Sequence, residues 1–547
     1  METGLFAAPE TTSLDTFAME SLGSNSSEKQ LAGIIVLDSL LQQRDSREEL
    51  VSRILSYNKA PSTLIGMLGW TDARDGDTRL FAARVTAKLA DRLKIAEIPG
   101  MMNMVSSLLD AKNQPAGHQS SAQTASGNGE GTAVGRSWVC QFWQWMIGKW
   151  SIPEEPPLTH SDLFPVLGMA ILEKLACDLD NGAEIIKSKN LVSKIIGLIR
   201  YTTGNGSSND TEQNAVICSS LNVVRQLAIT SGKIGAMFRQ ELQKNPFLLN
   251  NVANILEDTR SSPQLWKPAM DIIAKLALDM KTGKEIGRLQ VIIGKLMHVF
   301  FGRYGPTNMD DDQFLPMVAG EALANLALWG TANCSAILEE PGYEVIQDLK
   351  TMLCNDEYRY VAANLLQSIC VHCRVKLSHP DASEHLSSVL AIGMEQIEAA
   401  EGKQLESIIG LASEIGNVIR EPFTYELESQ TSNGVGIVQK LVNTLNSNKE
   451  PNPEYPRMRR VIVKMVITIL ESCHRTVEKM MEEAVMEGLM EELTKIERTT
   501  SKVEKYRVFY GDVGVVLENG PSLSALTTKA KGLITDYAAS TSGAQRC

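Results

Sequence analysis

A short helical pattern recurs along the chain and constrains its fold more than any other feature. The pattern is an apolar residue, two variable residues, a second apolar residue, and then Ala or another small residue. Clear copies are RVTAKLAD, MAILEKLACD, LNVVRQLAIT, MDIIAKLALD and EALANLALWG, anchored at Leu89, Leu175, Leu227, Leu276 and Leu326. The last four anchors are 52, 49 and 50 residues apart. Looser copies place further anchors at Leu40, Ile369, Leu411 and Ile469.

Repetition at this period predicts an array of helical units rather than one globular core. A second apolar helix follows most anchors after a polar or Gly-containing loop. Each unit is then a helical hairpin with an apolar face that it cannot bury alone, and stacked units bury these faces together. The small residue after each anchor lets neighbouring helices approach closely. A period of 42 to 52 residues is typical of armadillo and HEAT repeats. The sequence therefore predicts an all-α fold, a right-handed α-solenoid.

Two segments resemble known repeat proteins. EALANLALWG resembles the third helix of an armadillo repeat, whose pattern is A-x-A-L-x-N-L-A, and the span from Glu28 to Arg498 is similar in spacing to the armadillo-repeat superfamily. WSIPEEPPLTHSDLFPVLGMAILEKLACD resembles plant armadillo-repeat proteins of unassigned function, some of them named for induction by brassinosteroid. Certain relatives carry membrane spans, and this sequence shows none. The resemblance implies a fold and no chemistry.

Breaks in the period predict the domain organisation. The interval between Leu89 and Leu175 is 86 residues, too long for one repeat, and it contains a stretch rich in Gly, Ser, Gln and Ala. Such a stretch has too few large apolar residues to offset its ordering entropy. Near the C-terminus, YRVFYGDVGVVLENG breaks the helical period. The expected divisions are a disordered tail at 1–27, N-terminal armadillo-like repeats at 28–110, a disordered loop at 111–136, the main solenoid at 137–498, and a C-terminal cap or tail at 499–547.

Charge and composition narrow the possible partners and compartment. The net charge is −12 and the pI about 5.3, whereas a groove that follows nucleic-acid phosphates needs clustered Lys and Arg. We therefore expect no nucleic-acid partner. The N-terminus lacks the basic and apolar regions of a secretory signal, and nine scattered cysteines fit reduced thiols. No apolar run reaches the roughly 18 residues of a membrane-spanning helix. These features predict an intracellular, cytoplasmic protein.

The segment SWVCQFWQWMIGKW, residues 137–150, holds four of the seven tryptophans. On a helix its polar residues form one narrow stripe, which leaves a wide apolar surface that needs a partner. One interpretation is packing onto the following repeat. The alternative is hydrophobic docking to a membrane interface or a partner peptide, through Trp138, Phe142, Trp143, Trp145 and Trp150. A single Lys and the acidic PEEPP that follows disfavour membrane contact.

The armadillo resemblance implies a concave groove, lined by the third helices, that binds extended peptides. In importin-α and catenin relatives an Asn just before the anchor bonds the peptide backbone, and in importins a Trp four residues earlier walls side-chain pockets. Among the copies aligned here only Asn325 keeps the Asn, and none has the Trp, which argues against importin-like recognition of basic signals. The candidate groove residues are Arg84, Lys88, Lys174, Asn222, Gln226, Lys275, Asn325 and Asn364.

Lysines recur along this candidate groove, at Lys88, Lys174 and Lys275. Their ammonium groups would suit an acidic or phosphorylated segment of a partner through charge-assisted hydrogen bonds. A solvated helix face is the simpler interpretation.

No motif for catalysis or cofactor binding is evident. Walker-type, G-x-S-x-G, H-E-x-x-H and kinase signatures are missing, and seven histidines leave little for acid–base work. Cys370, His372 and Cys373 invite a zinc interpretation, but two Cys one turn apart on a helix are typical of buried, small apolar residues. We therefore expect no cofactor, no metal and no enzyme. The sequence favours an interaction scaffold, and the alternative is a membrane-peripheral adaptor docked through residues 138–150.

Overall fold

The structure is a computed structural model that describes most of the chain. It covers residues 13–42, 47–57, 59–110, 163–200, 210–258, 263–302, 314–429, 435–482 and 485–544. The expected loop at 111–136 and the Trp-rich segment at 137–150 lie outside these residues, so both expectations stay predictions.

The described residues are almost entirely helical. In chain order the helices are α1 Leu14–Leu22, α2 Ser27–Leu40, α3 Arg47–Ser56, α4 Ala60–Met67, α5 Gly76–Leu89, α6 Met101–Leu109, α7 Phe164–Leu175, α8 Leu179–Lys187, α9 Lys189–Leu198, α10 Asp210–Ile229, α11 Gly232–Gln243, α12 Leu248–Glu257, α13 Pro263–Leu276, α14 Met280–Ile286 and α15 Gln290–Phe300. They continue as α16 Leu315–Ala327, α17 Thr331–Leu338, α18 Val345–Leu353, α19 Arg359–His372, α20 Arg374–Leu377, α21 Pro380–Ala399, α22 Gly402–Val418, α23 Arg420–Ser429, α24 Val435–Ser447, α25 Met458–Ser472, α26 His474–Glu482, α27 Val485–Arg498 and α28 Leu523–Ala544. Two strands, β1 Tyr506–Tyr510 and β2 Val513–Leu517, precede α28.

The chain divides into two compact units. Unit 1 comprises Met1–Thr230 with Lys244–Asn251, and unit 2 comprises Ser231–Gln243 with Val252–Cys547.

Within each unit, the helices that carry the anchors pack on one another in succession. We call them the ladder helices: α2, α5, α7 and α10 in unit 1, and α13, α16, α19, α22 and α25 in unit 2. Leu40 is half-buried, and the eight other anchors, from Leu89 to Ile469, are at most 2% exposed. This succession of stacked helical repeats confirms the predicted all-α solenoid.

Two glycines on ladder helices, at positions other than the small residues that follow the anchors, lie in close contact with neighbouring helices. A Cβ added to Gly320 on α16 would lie 2.6 Å from the Phe300 ring, and one added to Gly168 on α7 would lie 2.9 Å from Leu109. A methyl group at either position would force a neighbouring side chain to shift, so glycine permits the close approach of the helices there.

Helix caps explain why the chain turns soon after an anchor. Three residues after Leu175, the Asp178 carboxylate accepts a hydrogen bond from the Asn181 backbone N–H at 3.1 Å. Asp279, three residues after Leu276, accepts one from the Thr282 backbone N–H at 2.9 Å. Each Asp satisfies a backbone donor in the first turn of the next helix and so fixes its start.

The two ends of the chain contain regular structure. Residues 1–27 were expected to be a disordered tail, and within that range Leu14–Leu22 forms α1, whose Ala18 and Leu22 are at most 1% exposed and which packs on α2. Residues 499–547 contain an antiparallel hairpin formed by β1 and β2. Its two-residue loop starts at Gly511, with φ 70°, as type II′ turns require. Helix α28 then packs on α25 and α27.

Candidate partner-binding surface

The candidate groove residues on α5 surround one buried carboxylate. Arg84 lies 3.0 Å from Asp38 Oδ2, and Lys88 Nζ lies 2.7 Å from Oδ1. Asp38 belongs to α2, one repeat earlier, and its side chain is 3% exposed. Burial lowers the pKa of Lys88, and the attraction of Asp38 opposes this shift. Arg84 and Lys88 therefore join neighbouring ladder helices as well as forming a basic stripe.

The remaining candidates of unit 1 extend this stripe to the next two ladder helices. Lys174 on α7 donates a hydrogen bond to the Ala87 carbonyl on α5. Burial lowers the pKa of Lys174, and the nearby Arg47 lowers the pKa of both Lys174 and Lys88 by repulsion. Asn222 and Gln226 lie half-buried on α10. Unit 1 thus has Arg84, Lys88 and Lys174 on neighbouring ladder helices and Arg47 nearby on α3, with Asp91 and Glu173 attracting Lys174.

In unit 2 the candidates also bond across repeats. Lys275 Nζ on α13 lies 3.3 Å from a Glu321 carboxylate oxygen on α16. Asn325 Nδ2 donates to the Ala274 carbonyl at 3.0 Å. On α19, Asn364 Oδ1 accepts from an Arg457 guanidinium N–H at 2.9 Å.

The partners of Arg84, Lys88, Lys275 and Asn325 lie about one repeat away along the chain. The Lys88–Asp38 pair is 50 residues apart and the Lys275–Glu321 pair 46. Pairing opposite charges at the repeat spacing would have found these contacts from the sequence, whereas the search for a groove treated each position alone.

The C-terminal hairpin, residues 506–517, lies against the ladder helices of unit 2. Arg507 donates a hydrogen bond from its guanidinium to Ser368 Oγ on α19 at 3.0 Å. The Tyr510 ring faces two cations, with Lys275 Nζ 4.9 Å and the Arg239 guanidinium carbon 5.1 Å from its centroid. The hairpin therefore contacts Lys275, a candidate groove residue.

Apolar contacts fix the same hairpin. Val516 of β2 is 2% exposed and clusters with Leu278 and Leu328, which follow α13 and α16. Trp329 and two further hairpin valines, Val508 and Val515, pack against this cluster. Trp329 is itself held by a hydrogen bond from its ring N–H to the Ala277 carbonyl at 2.6 Å. We call the cluster of Leu278 and Leu328 with Trp329 the apolar seat. The sequence analysis did not identify it, because Leu278 and Leu328 resemble ordinary residues at helix ends.

Carboxylates and guanidinium groups converge beneath Arg507. Burial lowers the pKa of Arg507 to about 10 and the Arg457 charge adds to this shift, whereas Glu518, Glu414 and Glu406 oppose it. The Glu406 and Arg457 side chains pair with each other at 3.3 Å. Burial and Arg457 thus outweigh the attraction of the three carboxylates, so the surroundings on balance disfavour the charge of Arg507.

The cysteine cluster of the sequence lies in the core of unit 2. Cys370 is fully buried and Cys373 is 3% exposed. Cys334 Sγ on α17 donates to the Ala327 carbonyl at 3.2 Å and lies beside Cys373, whose sulfur is 3.7 Å from the Ser335 hydroxyl. In the part of the chain that the structure describes, no three His, Cys, Asp or Glu side chains are grouped as a metal site.

The candidate docking residues Trp138, Phe142, Trp143, Trp145 and Trp150 fall outside the described residues, and docking through them stays a prediction. Among the helices that are described, none is both long and apolar enough to cross a membrane.

Comparison with known proteins supports the fold. No protein-family model and no curated protein matches the chain. The chain is similar to the crystal structure of an engineered protein, with 15% identity and a TM-score of 0.58 over 96% of this chain and 99% of that one. It is also similar to a structure from work on a conserved phosphorylation switch that controls the interaction between cadherin and β-catenin, with 12% identity and a TM-score of 0.56 over 95% of this chain and 94% of that one. At these identities the likeness shows the fold alone, which is armadillo-like.

Proposed function

We propose that the protein is a non-enzymatic interaction scaffold, in which the ladder helices line a concave face that binds an extended segment of a partner protein. The observation that carries the proposal is the seating of a non-helical segment, the C-terminal hairpin, on the ladder helices of unit 2. A surface that holds β-strands by side-chain contacts has the chemistry to hold an extended peptide. The similarity to a structure concerned with β-catenin and cadherin is in keeping with this function.

For unit 1 we propose a partner segment that is acidic or phosphorylated. Arg84 and Lys88 share the Asp38 carboxylate, and Arg47 at the start of α3 adds a further cation that acts on Lys88 and Lys174, while Asp91 and Glu173 attract Lys174. Burial lowers the pKa of Lys88 and of Lys174, and an incoming anion would oppose this shift by favouring the charged form. Asn222 and Gln226 would add neutral donors on the neighbouring helix.

An intracellular, cytoplasmic location and kinship with the plant armadillo-repeat group belong to the same proposal. Both are supported by the sequence features alone.

A pull-down from native lysate tests the function, with captured proteins quantified by mass spectrometry. The stripe variant is Lys174→Glu, and the matched control is Lys187→Glu on α8, where the lysine side chain is 69% exposed beside Glu184. Circular dichroism first confirms that both variants fold. Partners lost only with Lys174→Glu, and lost again after phosphatase treatment of the lysate, would support a phosphorylated ligand. Identical partner lists for the two variants would contradict the proposed stripe.

A further inference from the structure

We propose that the ladder helices of unit 2 form a binding site for a strand segment carrying an arginine and an aromatic residue, and that the hairpin 506–517 is its intramolecular occupant, which a partner segment of the same chemistry must displace. This inference rests on the proposed function. It goes further by naming the ligand chemistry and the competitor.

The hairpin covers several successive repeats. Its contacts reach Lys275 on α13, Trp329 just after α16, and Ser368 on α19. The tip reaches the start of α11, where Asp512 Oδ1 would lie 3.3 Å from a Cβ added to Gly232. A single short segment thus runs across the ladder, as an extended ligand would.

The hairpin is docked on this surface rather than built into the core. Of its ten strand residues, only Val516 is buried and the others are half-buried or exposed. An isolated two-stranded hairpin is at best marginally stable in water, so the seat on the ladder helices supplies the stability that keeps it paired. Loss of a few side-chain contacts would therefore release it.

The base of the hairpin is held separately from its body. Glu504, just before β1, forms an ion pair with Arg459 at 2.6 Å, and both side chains are 3% exposed. After β2, the Pro521 carbonyl accepts a hydrogen bond from Arg460 at 2.6 Å. These two contacts keep the segment attached to α25 when the strands detach from the ladder helices. The hairpin therefore stays close enough to rebind. Tethering gives it a high effective concentration, which a partner must overcome.

The groups beneath the hairpin define the ligand that fits. The Arg507 guanidinium donates to Ser368 Oγ on α19 at 3.0 Å, and the charges of Glu414 and Glu406 attract it against the effects of burial and of Arg457. Tyr510 fills a position between Lys275 and Arg239, where the negative face of an aromatic ring is favoured. The apolar seat accepts valine side chains. The partner is therefore a protein segment with a basic residue, a nearby aromatic residue and flanking β-branched residues.

The test measures binding of a fluorescein-labelled peptide with the sequence of residues 505–518 to the full chain, by fluorescence anisotropy. The release variant is Arg507→Glu with Tyr510→Ala, which removes contacts of the hairpin and leaves the ladder helices unchanged. The matched control is Arg498→Glu with Tyr537→Ala, the same two changes outside the hairpin. We expect the release variant to bind the peptide about ten-fold or more tighter than wild type, because the docked hairpin reduces the fraction of competent sites. The control should bind like wild type, and adding Leu328→Asp to the release variant should abolish binding.

Hydrogen exchange of residues 506–517 distinguishes the other outcomes. Equal peptide binding by wild type and release variant would overturn the competition while leaving segment binding, and hence the proposed function, supported. No binding by a release variant whose hairpin exchanges freely would overturn the ligand assignment, whereas the lysate pull-down judges the proposed function independently. If the release variant unfolds, hydrogen exchange of the wild-type chain is measured with excess peptide. Faster exchange of residues 506–517 would support displacement of the hairpin, and unchanged exchange would overturn the proposed displacement.

Discussion

Arg457 and Glu406 form a buried ion pair between the start of α25 and the ladder helix α22. Arg457 Nε lies 3.3 Å from Glu406 Oε1, and the Arg457 backbone N–H donates to Oε2 at 2.6 Å. The two side chains are 4% and 3% exposed. The same guanidinium donates to Gln367 and Asn364 on α19. One residue thus joins three successive ladder helices of unit 2.

Removing the acid of this pair should destabilise unit 2 strongly. Glu406→Ala leaves the Arg457 guanidinium buried without its counter-charge, which costs about 3–5 kcal/mol in the free energy of unfolding. Urea unfolding followed by circular dichroism measures the change. Glu339→Ala, which breaks the exposed pair with Lys376, serves as control and should leave the midpoint nearly unchanged. A loss below about 1 kcal/mol for Glu406→Ala would show that the pair contributes little.

Glycine-to-alanine substitutions should have opposite effects at two positions of unit 2. At Gly320 the added methyl would meet the Phe300 ring at 2.6 Å and Val361 at 2.8 Å, so overpacking should cost about 1–3 kcal/mol. At Gly532 on α28 nothing lies within 4 Å of the added methyl. There Ala should stabilise by about 0.5–1 kcal/mol, because it lowers the entropy of the unfolded chain and favours helix. Thermal unfolding of the two variants checks both signs, and equal shifts would contradict the packing argument.

The sequence predicted the repeat architecture because repetition tests the same physical requirement many times. Each anchor, such as Leu276 or Leu326, must be buried against its neighbours, and the period emerges even though single positions vary. Helix α1, Leu14–Leu22, lies within the range 1–27 where a disordered tail was expected, and its composition explains why the helix was not foreseen. The polar composition of the first 27 residues hides the few apolar side chains, Ala18 and Leu22 among them, that suffice to bury one short helix on α2.

The candidate site was predicted less completely. Positions such as Lys88 and Lys275 were found from their place before an anchor, but their bonds to Asp38 and Glu321 depend on which repeat lies alongside. The hairpin was visible only as a break in the helical period. Its contact between Arg507 and Ser368 joins residues 139 apart, and no local pattern specifies such a pairing. The position of the hairpin depends on the surface that the ladder helices form once they are packed together.

Asn181 should contribute strongly to the free energy of unfolding of unit 1. Its side chain is 2% exposed and bonds two backbone groups of the preceding repeat, with Nδ2 donating to Leu93 O at 2.7 Å and Oδ1 accepting from Ile95 N–H at 2.8 Å. Asn181→Ala leaves both groups buried without partners, which costs about 1–3 kcal/mol for each. Chemical unfolding measures the loss. The exposed Asn103 provides the control, and a similar effect from Asn103→Ala would refute the assignment.

Cys373 should titrate as a thiolate well below the ordinary range. The Cys334 hydrogen bond chiefly lowers the pKa of Cys373 to about 6, with help from Ser335 and Lys376 and against the effect of burial. The contact with Cys373 and burial raise the pKa of Cys334. Because the folded pKa of Cys373 lies below the unfolded value of about 8.5, its thiolate stabilises the fold fully above that value. This stabilisation is lost as the pH falls through about 6.

Thiolate absorbance near 240 nm as a function of pH provides the measurement, since it reports buried sulfur without a reagent. Wild type should show a step at about pH 6, and Cys373→Ser should lose it. Cys334→Ala should move the step upward, because the donor that stabilises the thiolate is gone. Cys177→Ser is the control. Burial raises the pKa of the Cys177 thiol, so this thiol does not contribute to the step at low pH, and the step should persist in the variant. A low step that survives Cys373→Ser would show that the thiolate is another cysteine and contradict the prediction.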